Sequence, residues 1–404
     1  MERNDRPEGY RWVILTIVYL SILAFTFMFQ SIPPILPIII SELQLAYAQS
    51  GLLMSLFALP GLFISLPGGF LSDRYPMRPL GAGCFLLMVG GTLLVVLGKD
   101  LYVLWLGRVI AGIGGLTLSV LLPKLLSQWF RTKQLGLAMG IFNTGVPLGS
   151  VICFGLFGKM GALWGWRIPV LFTGIYALIT AILLLIFYQT PFPQTAKNQT
   201  RKNLGHSLRE TGHPIWWVGV SWLWFNAAFV SFTTFAPSFF FEKGYTIEQS
   251  GLLTGIPLLG SLFLSPLMGA LVDRFKRQEW VIAIGGIALS ILVLSFNFNS
   301  SFLFLVALMG IFCGTIPAPI YSLPPELSKP ENLGLGFGVI STCSSLGSFI
   351  APYLIGKLKD STGSYGFSFA FVSLFFLLMT ISIFFVNRRK PLFGVRSSEL
   401  GVRS

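Results

Sequence analysis

The sequence predicts an all-α, polytopic membrane protein: twelve transmembrane helices in two six-helix, pseudo-symmetric halves. Three observations carry that prediction. The first is composition: 54% of the 404 residues are hydrophobic and 11% are charged, with 38 Phe and a mean hydropathy of +0.76. A soluble domain carries roughly 25% charged residues and could not hide so much apolar surface from water. Disorder, collagen and small disulfide scaffolds are excluded on the same grounds. The second is a succession of twelve apolar runs, and the third is a repeat of the first half in the second.

The runs fall at 13–38 (span 1), 48–71 (span 2), 79–98 (span 3), 101–124 (span 4), 135–157 (span 5) and 167–189 (span 6), then at 214–240 (span 7), 249–271 (span 8), 280–297 (span 9), 302–324 (span 10), 334–356 (span 11) and 366–386 (span 12). Each is close to the length of about 20 residues that crosses a bilayer as a helix. The apolar run after Arg11 continues to about Ile40 without a small-residue cleavage site, so span 1 is expected to stay in the protein. An even number of spans puts both termini on one side. If that side is cytoplasmic, the cytoplasmic segments hold 21 Lys and Arg and the outer segments 6, with Arg108 inside span 4. This is the positive-inside pattern of a multi-pass protein of the cell membrane, and it accounts for the net charge of +13 without nucleic acid. The four cysteines, Cys84, Cys153, Cys313 and Cys343, lie in apolar runs without metal or redox spacing and are expected to pack. The polar stretch 191–213 holds both histidines, His206 and His213, and is expected to be a solvated linker that binds no metal. It divides an N-terminal bundle, 1–190, from a C-terminal bundle with a cytoplasmic tail, 214–404.

The halves match without gaps in two places. At a shift of 200, residues 49–74 lie on 249–274 with 13 identities in 26 positions; at a shift of 198, residues 135–159 lie on 333–357. With an even number of spans per unit, the two units share one topology and are related by an axis along the membrane normal. That is a design of secondary transporters, with the solute site between the halves.

The loop after span 2 reads Gly69-Phe-Leu-Ser-Asp73-Arg74-Tyr-Pro-Met-Arg78, and its partner after span 8 reads Gly269-Ala-Leu-Val-Asp273-Arg274. Glycines permit close helix approach, an Asp at a helix end can face a neighbouring helix dipole, and an Arg can hold a carboxylate or last-turn carbonyls. This G-x-L-x-D-R-x-x-x-R pattern resembles that of the major facilitator superfamily, and with the twelve spans and central loop the resemblance covers nearly the whole chain. The second copy departs at its end, where Gln278 replaces the last Arg. The resemblance implies a gating latch of Asp73, Arg74, Arg78, Asp273 and Arg274; the alternative is that the basic residues only enforce topology.

Span 4 reads Arg108-Val-Ile-Ala-Gly112-Ile-Gly114-Gly115, again as in that family. An Arg in hydrocarbon costs roughly 2.5 kcal/mol or more, so it should meet a wet cavity or a partner. Its fork suits an anion; the alternative is a structural Arg bonded to carbonyls or polar groups of span 1. The stretch Pro123-Lys124 to Trp129-Phe130 also resembles bacterial members, and Lys124 could pair with Glu326 across the halves. The family's drug-antiporter glycine motif is only weakly matched in span 5. The resemblance makes spans 1, 4, 7 and 10 line the cavity. The substrate-binding candidates on these spans are Gln30, Arg108, Trp222, Asn226, Phe229 and Tyr321, with Trp224 and Thr233 also on span 7; Asn143 of span 5 joins them because a buried amide needs a partner.

No mid-span Asp, Glu or His is visible as a proton carrier. The interior is weakly positive through Arg108, which disfavours lipophilic cations. The expectation is therefore a monomeric secondary or facilitative transporter of a small solute, leaning to an organic or inorganic anion of the cyanate, nitrate or organic-anion type. A co-transported ion is left open. No cofactor or metal is implied, and an enzyme is not expected because no nucleophile–base set or phosphate loop is present. A multidrug or lipophilic-compound efflux antiporter is the alternative, followed by a non-transporting receptor.

Overall fold

The computed structural model describes residues 9–65, 76–130, 132–188, 213–275, 277–298, 301–328 and 333–386, the side chains at 132–133 and 265–275 excepted. Among the described residues the regular structure is helical, with twelve helices or helix runs long and apolar enough to cross a membrane. They are Tyr10–Leu43, Tyr47–Ile64, Met77–Leu97, Leu101–Trp129, Gln134–Trp164, Arg167–Phe187, His213–Glu242, Ile247–Leu264, Gln278–Ser295, Phe302–Leu327, Leu333–Thr362 and Tyr365–Phe384, which are spans 1 to 12. The protein is an all-α, twelve-span membrane protein with the pseudo-symmetric halves that the repeat implies.

Several helices outrun their apolar stretches, because a helix can continue past the hydrocarbon where backbone bonding allows. Span 4 runs on through Lys124 to Trp129, and span 5 reaches Trp164. Span 7 begins at His213, so that residue starts a helix rather than ending a linker; Pro214 follows, where a missing N–H is harmless. The His213 ring lies 6.4 Å from that of Trp217. Spans 1 and 10 are interrupted. Span 1 is helical over Tyr10–Phe29, turns through Pro33–Ile35 and resumes over Leu36–Leu43. Span 10 is helical over Phe302–Cys313 and again over Pro317–Leu327. Proline at these restarts removes donors that an unbroken helix would need.

Between halves, span 2 packs on span 11 and span 5 on span 8. The repeat appears there as geometry. Gly51 of span 2 has no room for a Cβ against the Pro352 carbonyl of span 11, and Gly251 of span 8 has none against the Phe154 carbonyl of span 5. Gly356 likewise abuts the Tyr47 carbonyl, and Gly158 faces the Ile247 carbonyl. Shifts of 200 and 198 turn each of these pairs into its counterpart. All four lie toward the end that bears the loops after spans 1, 5, 7 and 11, the outer end in the orientation implied by the charges.

Much of the phenylalanine is packing. In the second half Phe232, Phe239, Phe240, Phe296, Phe302 and Phe369 are buried together, many of their rings meeting edge to face. The four cysteines are buried and unpaired with one another.

Candidate functional site

The candidates of span 1 and span 4 meet at the break in span 1. Gln30 ends the first helical segment, its N–H donating to Thr26 O at 2.9 Å. Its side chain is turned inward: the residue is 5% exposed, Nε2 donates to Ser150 Oγ of span 5 at 3.4 Å, and Oε1 is buried without a protein donor.

Arg108 lies beside the same break and is 2% exposed. Its Nε donates to Leu53 O of span 2 at 2.7 Å. Its Nη1 donates to Met28 O at 2.8 Å and Ser31 Oγ at 3.4 Å, and Nη2 to Phe29 O at 3.3 Å. The guanidinium carbon sits 4.7 Å from the centroid of the Phe57 ring. Last-turn carbonyls lack intrahelical donors, and the helix dipole there favours a cation. In this conformation main-chain oxygens therefore envelop the charge, and no carboxylate is among these partners.

Span 7 places Trp222, Phe225 and Phe229 on one face, one turn apart. Their rings stack with centroids at 4.9 Å and 5.6 Å and interplanar angles of 9° and 6°. Tyr321 of span 10 meets Trp222 edge to face at 5.4 Å and lies 6.4 Å from Phe337 of span 11. Despite these rings Tyr321 is 45% exposed. Asn226 is half-buried, and its Nδ2 donates to Trp222 O, one turn back, at 2.8 Å. Trp222, Phe229 and Tyr321 thus belong to one aromatic group. Trp224 does not: it stacks on Phe375 of span 12 at 5.6 Å. Thr233 bonds back to Phe229 O at 2.9 Å within its own helix.

Asn143, expected as a buried amide, is instead exposed on span 5, on the same helix face as Gly136 and Gly140, both of which border open space. The adjacent Thr144 hydroxyl is 3.1 Å from the Tyr19 hydroxyl of span 1. The candidates of the first half are amides, hydroxyls and Arg108, and those of the second are rings and the Asn226 amide. Phe337 was not anticipated from the sequence. Its counterpart in the repeat is Met139, and nothing local separates it from packing phenylalanines.

Of the latch residues, Asp73 and Arg74 lie outside the described residues, as do the side chains of Asp273 and Arg274. Arg78 is described. Its Nη2 donates to Leu185 O in the last turn of span 6, and the Tyr10 hydroxyl donates to Phe187 O nearby. Glu326 accepts from Gln278 Nε2 at 2.8 Å, a partner in its own half. Among the described residues no three His, Cys, Asp or Glu side chains converge as a metal site. An open crevice of about 630 Å³ lies away from this site, at the outer end of the second half, lined by Lys243, Tyr245, Gln249, Asn297, Phe298 and Phe302 among others. Two of its polar groups are engaged locally: Gln249 Oε1 accepts from Thr246 N–H, and Asn297 Nδ2 donates to Gly366 O.

Comparison with known proteins agrees with this architecture. The model of the Major Facilitator Superfamily matches residues 18–252 and 241–401. A hexuronate transporter of Bacillus subtilis is 25% identical over 387 residues, covering 89% of this chain and 90% of the relative. A human lysosomal dipeptide transporter is 24% identical over 381 residues (86% and 80%), and a nitrite extrusion protein of Bacillus subtilis is 23% identical over 368 residues (89% and 90%). Among solved structures, a bacterial homologue of the human lysosomal transporter Spinster, inward-facing and occupied, superposes with a TM-score of 0.76 at 17% identity over 94% of this chain and 97% of that one. At that identity the likeness shows the fold.

Proposed function

The chain belongs to the Major Facilitator Superfamily, and on that premise we propose that the solute it carries is a small organic anion. The observation that carries this reading is Arg108: a buried mid-span cation whose partners among the described residues are carbonyls, a hydroxyl, a thioether and a ring. A cation with no counter-charge among the described residues raises the local potential in a low-dielectric interior, which attracts anions and repels cations over several ångströms. Arg108 then acts by its field and holds span 1, without a direct fork on the solute in this conformation. The aromatic group of Trp222, Phe229 and Tyr321 offers apolar faces, while Gln30, Asn143 and Asn226 offer amides. Apolar faces with a few polar groups suit a carboxylate on a carbon skeleton better than a bare inorganic oxyanion. The hexuronate relative is named for such a solute, and the nitrite relative for an inorganic anion.

The 21-to-6 charge asymmetry supports cytoplasmic termini and insertion in the cell membrane. The Asp73 and Asp273 loops then lie on the cytoplasmic side and act as its latch. Counterflow in proteoliposomes across a panel of organic acids, inorganic anions, neutral sugars and lipophilic cations tests the proposal. Saturable exchange of an organic acid is expected, and uptake of lipophilic cations alone would overturn it. Within that assay Tyr321→Phe, which removes one hydroxyl and keeps the ring, is expected to raise KM by about tenfold, the value of one hydrogen bond. An unchanged KM would remove the Tyr321 hydroxyl from the site.

A further inference from the structure

We infer that span 2 is capped in trans, and that Asp360 is a positioning residue that holds the outer end of the transporter closed. The starting point is a difference between the repeats. Span 8 opens with Thr246-Ile-Glu-Gln249, and span 2 with Ala46-Tyr-Ala-Gln49. Thr246 caps its own helix: Oγ1 accepts from Gln249 N–H at 3.2 Å, and its N–H donates to Gln249 Oε1 at 3.0 Å. This is the reciprocal pattern that satisfies the orphan donors at a helix start. In span 2 only the second bond survives, from Ala46 N–H to Gln49 Oε1 at 3.0 Å, because an alanine side chain cannot accept.

The first two amides of span 2 are instead held from the other half. Asp360, near the end of span 11, takes Tyr47 N–H on Oδ1 and Ala48 N–H on Oδ2, each at 2.8 Å. A carboxylate on the first two amides of a helix combines charge-assisted hydrogen bonds with the favourable end of the dipole. The neighbouring groups fasten the same point. The Tyr47 hydroxyl donates to Glu242 Oε1 of span 7 at 2.7 Å. Lys359, 7% exposed, holds Glu242 Oε2 at 3.0 Å and Gly363 O at 3.1 Å. Its Nζ is 4.1 Å from the Tyr365 ring centroid and 5.3 Å from that of Tyr47. The Tyr47 carbonyl abuts Gly356, so the backbones themselves are in contact.

The pseudo-equivalent seam between spans 5 and 8 is weaker. Its ion pair, Lys159 with Glu248, is 3.5 Å long with side chains 56% and 45% exposed, a class that contributes little. Among the described residues, the polar contacts that close the outer end are therefore concentrated at the seam of span 2 with spans 7 and 11. When that end opens, span 8 keeps its cap and span 2 loses both Asp360 bonds with nothing of its own to replace them. Opening is disfavoured by that loss, which biases the resting protein toward the outer-closed state. This holds whatever the solute.

The test measures the distance between spin labels at Ser41→Cys and Ser361→Cys, exposed outer-end positions in opposite halves, in otherwise full-length protein. Asp360 is itself exposed, so Asp360→Ala is expected to raise the ratio of long to short distances by about fivefold, and Asp360→Asn by less, since a neutral amide oxygen still accepts. An unchanged distribution in Asp360→Ala overturns the inference. Should that variant not fold, an unchanged distribution in Asp360→Asn, which loses the charge and one of the two acceptor oxygens, overturns it as well. Because no solute is needed, failure of the anion proposal leaves this result readable.

Discussion

Removing the Arg108 guanidinium would take a donor from the carbonyls of Leu53, Met28 and Phe29; Met28 O keeps the Ser31 hydroxyl and Leu53 O lies within a helix, but Phe29 O, in a last turn, has no intrahelical donor. Each unsatisfied buried acceptor costs about 1–3 kcal/mol, so Arg108→Ala is expected to lower the Tm of the purified protein sharply, even without solute. Arg108→Lys should recover little of the loss, because one ammonium cannot reproduce a planar fork bonded in three directions. Thermal unfolding in detergent checks this: a wild-type Tm together with lost anion binding would make Arg108 a solute ligand instead. The residue scale is also where the sequence was least legible. A lone Arg in an apolar run announces that it needs partners, but these are chiefly main-chain oxygens, two of them at a helix break in span 1 and one in span 2, and no pattern of side chains records them. The same holds for Tyr321, whose polarity marks it on span 10, and for Phe337, which looks like any packing ring until the fold brings the two together.

At the scale of elements, the helix crossings are where backbone replaces side chains. Gly51 and Gly251 each take the place of a Cβ that would collide with a carbonyl of the facing helix, and because the obstruction is backbone it cannot swing aside. Gly51→Ala is therefore expected to hold spans 2 and 11 apart, raise the outer-end distance and depress flux. Gly136→Ala borders open space in span 5, and should leave flux intact with a small gain in stability, up to about 1 kcal/mol from helix propensity. Equal effects of the two substitutions, in paired flux and Tm measurements, would show that the crossing tolerates a Cβ. The elements themselves were largely legible: every expected span has its helix, since twenty apolar residues in a bilayer have few alternatives to helix. Their ends were not, because Lys124 to Trp129 and the segment up to Trp164 continue as helix after hydropathy has fallen. The glycine matches in the repeat were visible as identities, but their meaning as contacts depends on which helices face each other.

For the whole molecule, a carrier that alternates must not open both ends together, so weakening one closure should act against weakening the other. We propose that Asp73 belongs to the closure of the cytoplasmic end and Asp360 to that of the outer end. Asp73→Asn should then move the population further toward the outer-closed state and nearly abolish flux while insertion and folding persist; normal flux would remove Asp73 from the latch. Asp360→Ala should move the population the opposite way. If both act on one equilibrium, their free energies oppose, and the double variant Asp73→Asn with Asp360→Ala should show a long-to-short ratio between those of the single variants. Its flux should exceed that of Asp73→Asn alone, because turnover depends on visiting both states. A double variant no more active than the worse single one, with distances that follow only one of them, would mean that the two ends are not coupled through a rigid rocking of the halves and close by separate local motions.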